Sequence, residues 1–128
     1  MNQAVQVAIE QLRTALPETR VEAQEDGQGG AWVIVENVAV GDIYLPDSSW
    51  IGFRITFQYP HADVYPHFVR SDLQRKDKRP LGDGITGGHT FLGRSALQIS
   101  RRSNRLNPAT DTALLKLMKV LDWLAKHP

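Results

Sequence analysis

The sequence predicts an α+β domain: one amphipathic helix, three to four antiparallel strands, an irregular stretch, then a second amphipathic helix. Two periodicities lead to that reading. Apolar residues recur every three or four positions towards each end of the 128-residue chain, and every second position between them. Glycine and proline punctuate the middle of the chain and stay out of the interiors of both helical stretches.

Residues 3–16 read as the first helix, with Val5, Ile9, Leu12 and Leu16 on one face and Pro17 at its end. Gln3, Gln6, Glu10 and Arg13 fall on the face left to solvent. A hairpin follows. Residues 20–24 alternate, Asp26-Gly27-Gln28-Gly29-Gly30 turns, and residues 31–35 return as a β-branched strand. Residues 36–49, with Gly41, Pro46, Asp47 and two serines, read as a loop. Phe53, Ile55 and Phe57 place one face of a third strand over 50–57, and residues 67–70 suit a short fourth.

Residues 74–90 combine a charged run with four glycines and read as a long loop, with Gly82-Asp83-Gly84 and Gly87-Gly88 as flexible points. Such loops are usually functional or disordered. A basic run, Ser100 to Arg105, leads to Asn107 as N-cap and Pro108 at the first position of a helix over 108–125. Ala113, Leu114, Leu117, Met118, Leu121 and Leu124 would form its buried stripe against one sheet face. The first helix would lie at the sheet's edge or end.

Composition excludes several classes of function. The length suits a single domain over 1–128, without repeats or a linker. A net charge of +1 gives no global field for nucleic acid or anionic lipid. Met1-Asn2-Gln3-Ala4 does not open a signal peptide, and no apolar run approaches the ~20 residues of a membrane span, so the expected location is the cytoplasm. With no cysteine there is no disulfide, no zinc–thiolate site and no thiol chemistry in the chain as it stands. His61, His67, His89 and His127 lack a metal-ligand spacing, and no phosphate loop, dinucleotide fingerprint or nucleophile elbow occurs. Neither a metal nor a cofactor is implied.

Several short motifs fall in a meaningful order. Phe53-x-Ile55-x-Phe57 runs into Tyr59-Pro60, Tyr65-Pro66 follows, then Gly93-x-x-Ala96-Leu97-x-Ile99, then Leu106-Asn107-Pro108-Ala109. This order resembles the ubiquitin-conjugating enzyme family across most of the chain. The resemblance is to the third strand with its Phe-Pro pair, the following Tyr-Pro, the Gly-x-x-Cys-Leu-x-Ile active-site segment, and the Trp-Ser-Pro-Ala that opens the central helix. Ala96 then stands under the nucleophilic cysteine. The chain also departs from the pattern. Four residues separate Pro60 from Tyr65 instead of two, the trailing Pro-Pro is absent, and Leu106 replaces a tryptophan. The His-Pro-Asn triplet is missing and the last two helices are lacking. This is closer to the divergent bacterial relatives encoded with ubiquitin-like proteins and activating enzymes.

The resemblance implies acyl transfer: a ubiquitin-like protein is accepted from an activating enzyme as a thioester and passed to an amine of a target protein. A thiolate suits that step because it is nucleophilic and needs little tuning to ionise. The methyl of Ala96 does neither, so the chain as given would be a catalytically dead form. Either a cysteine was replaced at 96, as is done to trap a non-covalent complex, or the protein is a naturally non-catalytic module. Such a module would bind a ubiquitin-like protein or scaffold a partner enzyme. An unrelated α+β interaction domain is the third reading. For the oxyanion of the tetrahedral intermediate, His89 or Asn104 would replace the missing asparagine. Ser95, Ser100 and Ser103 flank the position, but a serine needs an adjacent base, and His89 is the one nearby. Ser95 should face away from Ala96. Arg94, Arg101, Arg102 and Arg105, with Ser95, form a basic patch suited to an acidic partner or a protein's carboxy-terminal tail. Nucleic acid is disfavoured, since no aromatic residues interleave with the arginines.

Overall fold

The computed structural model covers residues 1–128. Helix α1 (Gln3–Ala15) starts where Asn2 Oδ1 accepts the Val5 N–H at 3.0 Å, and it buries Val5, Ala8, Ile9 and Leu12. The Asn2 side chain also donates to the Phe57 carbonyl at 2.8 Å, which ties the helix start to the turn that follows Ile55. Strands β1 (Val21–Glu25), β2 (Ala31–Ala39), β3 (Tyr44–Leu45), β4 (Ser48–Ile55), β5 (His67–Arg70), β6 (Gln74–Arg75), β7 (Ile85–Phe91) and β8 (Arg94–Ile99) follow, and helix α2 (Ala113–Ala125) ends the chain. Six of the strands form one antiparallel sheet in the order β1-β2-β4-β5-β8-β7; β3 and β6 pair separately.

Alternation along the strands sends Val33, Phe53, Ile55, Val69, Leu97 and Ile99 to the face that carries both helices, where they join Leu12, Leu117 and Leu124 in one core. The α+β class and the two flanking helices agree with expectation. The sheet of three to four strands does not, because it has six. Strand β2 continues past Val35 through a bulge to Ala39, and β4 begins at Ser48, so the expected loop over 36–49 is strand at both its ends and holds the short β3 between them.

The expected loop over 74–90 holds β6 and most of β7. Gly87 and Gly88 lie at a bulge between Thr86 and His89, which breaks the alternation that would have marked a strand. Leu92 and Gly93, both at positive φ (47° and 80°), make the two-residue turn into β8. Gly82 and Gly84 are not free hinges: a Cβ on Gly84 would meet the Trp123 ring at 3.1 Å, and one on Gly82 would meet His127 at 3.0 Å.

Helix α2 begins five residues later than expected, at Ala113. Its N-cap is Thr112, whose Oγ1 accepts the Leu115 N–H at 3.1 Å. Asn107 heads only an isolated turn: its Oδ1 accepts from Ala109, and its own N–H donates to Asp111. The buried stripe is also rotated, with Met118 40% exposed and Lys116 buried beside Leu117. At the end of α2, the fully buried Tyr44 donates to the Leu124 carbonyl at 2.8 Å, and just past it Arg75 donates to the His127 carbonyl at 3.0 Å, so the small β3–β6 pair clasps the helix end. No helix is long and apolar enough to cross a membrane.

Candidate functional site

Ala96 sits in the middle of β8, with Arg70 of β5 and His89 of β7 as its cross-strand partners. Its methyl points away from the helices, to the outer sheet face, where it is only 1% exposed. Phe91 covers it. That ring comes from the last residue of β7 and lies over the sheet, 5.0 Å from Phe68, 5.9 Å from Trp32 and 6.2 Å from Trp50 between ring centroids. Gly52 makes room for it, since a Cβ there would come within 2.5 Å of the ring. Ile34, Phe91 and Ala96 thus form a second, small core on the outer face, flanked by the partly buried Trp32, Trp50 and Phe68.

Two guanidinium groups roof this cluster. Arg54 lies 4.7 Å over the Trp32 ring and donates twice to Asp26, whose side chain is 1% exposed. Burial pushes the Asp26 carboxyl up, but the Gln28 and Gly30 N–H groups and Arg54 together hold it below its ordinary value. Arg94 lies 5.3 Å over Trp50 and forms a bidentate pair with Glu36 at 2.9 Å for each bond. Those hydrogen bonds hold the Glu36 carboxyl low against its partial burial.

The expected site residues divide between two faces. His89 shares the outer face with Ala96, stands edge-on to Phe68 at 6.3 Å, and keeps its Nε2 3.0 Å from Thr86 Oγ1. Arg94 is on that face too, committed to Glu36. Ser95 is exposed and points the other way, as strand alternation requires. Arg101, Arg102 and Asn104 line a separate cavity of about 190 Å³ over α2, on the helix-bearing side. They do not converge on Ala96.

One polar cluster was not foreseen. Lys116 Nζ, 8% exposed, donates to both Asp63 oxygens at 2.9 Å and to Ser103 Oγ at 2.8 Å. Asp63 also accepts the Ser103 N–H at 2.6 Å and its hydroxyl at 2.8 Å. Burial raises the Asp63 carboxyl, but the Ser103 and Lys116 hydrogen bonds prevail and its pKa is lowered. The Ser103 hydroxyl donates to a carboxylate held below its ordinary value, a weak base, and its lone pair faces an ammonium, so nothing here activates it as a nucleophile. It anchors a loop. The signal for this cluster was a lysine within an apolar helical stripe.

His67 is the other surprise. Expected only as part of a short strand, it is fully buried against Phe53 at 5.1 Å, and neither ring nitrogen has a hydrogen-bonding partner in the protein. Burial first, and then Lys116, push its pKa down to about 3, with Asp63 opposing. No three His, Asp or Glu side chains converge as metal ligands. Compared with family models, curated proteins and solved structures, the chain matches none of them.

Proposed function

We propose that this protein is a non-catalytic module of ubiquitin-conjugating type, which binds a ubiquitin-like protein or scaffolds a partner enzyme. The observation that carries the reading is the 1% exposure of Ala96 beneath Phe91. A sulfur at that position would be enclosed by Ile34 and aromatic rings, where an apolar setting raises a thiol's pKa and disfavours the thiolate. A protein's tail could reach it only if Phe91 swung away from Gly52. The order of Tyr59-Pro60, Tyr65-Pro66, the segment at 93–99 and a final long helix supports the type, and the missing nucleophile supports the absence of catalysis.

One observation favours the alternative, that this is a conjugating enzyme whose cysteine has been replaced. His89 is the direct cross-strand partner of residue 96, on the same face, where it could serve a nucleophile. Incubating the Ala96→Cys variant with an activating enzyme and ubiquitin-like proteins of the same genome separates the two. Our reading expects reversible binding of a ubiquitin-like protein and no thioester adduct. A reducible adduct would establish the alternative, and an absence of both adduct and binding would defeat the type itself.

A further inference from the structure

Seven of the ten arginines have a carboxylate within 4.0 Å. The three without one, Arg101, Arg102 and Arg105, follow one another along the segment between β8 and α2. Two of these line the 190 Å³ cavity over α2. Each is held by an aromatic ring: Arg101 lies 4.9 Å over Trp123, and Arg102 lies 4.1 Å over Tyr65. Between them and Asn104, Ser103 is fastened to Asp63 through its N–H and its hydroxyl. The cations therefore stand ready around an open space.

The local charges set what could fill it. Lys116 is neutralised by Asp63. Lys119 lies 4.0 Å from Asp111, the one carboxylate lining the cavity, whose other oxygen accepts the Asn107 N–H. Arg101 and Arg102 remain, a surplus of two positive charges. A phosphate monoester carries about −1.5 to −2 at neutral pH, whereas a carboxylate carries one charge. At about 30 Å³ per water, the cavity holds roughly six waters, enough for a phosphate and part of its ester group.

We infer that the cavity between the Arg101–Asn104 segment and α2 binds a phosphate monoester. The site lies on the opposite side of the sheet from the Ala96 side chain, and the inference does not rest on the function proposed above. Titrating the isotope-labelled protein with phenyl phosphate and following its amide resonances tests it. Saturable binding is expected, with shifts confined to residues 101–104 and the Trp123 indole. Arg101→Gln and Arg102→Gln should each weaken it roughly tenfold, while Arg105→Gln, outside the cavity, should change it less than about twofold. Three results would overturn the inference: no saturable binding, an equal loss in Arg105→Gln, or an acetyl-Gly-Gly carboxylate binding as tightly as phenyl phosphate.

Discussion

His67 makes the stability of this fold depend on pH in a way that can be worked out. In the fold the ring stays neutral down to a pKa of about 3, whereas in the unfolded chain it protonates near 6.5. Between those values the unfolded state binds more protons, so stability falls as pH falls through that window. The whole difference corresponds to about 5 kcal/mol at 1.36 kcal/mol per pKa unit. Between pH 7 and pH 5 the loss is about 2 kcal/mol. With a urea m-value of about 2 kcal/mol/M, that shifts the midpoint by about 1 M. Few carboxylates titrate in this range, and the other three histidines are retained in a His67→Leu variant, so the difference between the two proteins isolates His67. Urea unfolding at pH 7, 6 and 5 should show the shift in the parent and its loss in His67→Leu. The variant should be no less stable at pH 7, because it removes two buried nitrogens that have no protein partner. Equal midpoint shifts in the two proteins would show that His67 is not the source of the pH dependence, as would a His67 ring resonance titrating near pH 6.5.

Two further predictions concern packing and charge. Gly52→Ala should cost about 1–3 kcal/mol by pressing a methyl into the Phe91 ring, and much less in a Phe91→Ala background, as a double-mutant cycle would measure. Asp63→Asn should cost roughly 3 kcal/mol in thermal or urea unfolding, since it leaves the Lys116 ammonium buried without a counter-charge, and Asp63→Asn with Lys116→Met should recover much of that loss. Because the folded Asp63 carboxyl titrates below its ordinary value, the stabilisation it brings is present above about pH 4 and is lost as pH falls further.

How much of this was legible in the sequence depended on whether one physical signal dominated locally. The 3.6-residue period of Val5, Ile9 and Leu12 had no competitor, so α1 was readable to within a residue. At the other end, Asn107-Pro108 is a good helix opening, but Thr110, Asp111 and Thr112 prefer hydrogen bonds to local backbone, and the helix waits for Thr112. Strand β7 was hidden because its bulge falls on Gly87-Gly88 and because Leu92, not asparagine, takes the left-handed turn position. The aromatic cluster over Ala96 was beyond reach for a different reason. Trp32, Trp50, Phe68 and Phe91 are dispersed along the chain, and only the strand order β2-β4-β5-β8-β7 gathers them. The basic run at 101–105 was visible as charge, but its separation from Ala96 follows from the direction in which the chain leaves β8.

Position 96 is closed to a reacting partner, and the reaction of an Ala96→Cys thiol with a disulfide reagent under native conditions measures that closure. Protection of roughly a thousandfold or more relative to the urea-unfolded protein is expected, with reaction following the opening of the sheet. Reaction of the folded protein at the rate of a free thiol would show that Phe91 does not seal the position and that a partner can reach it.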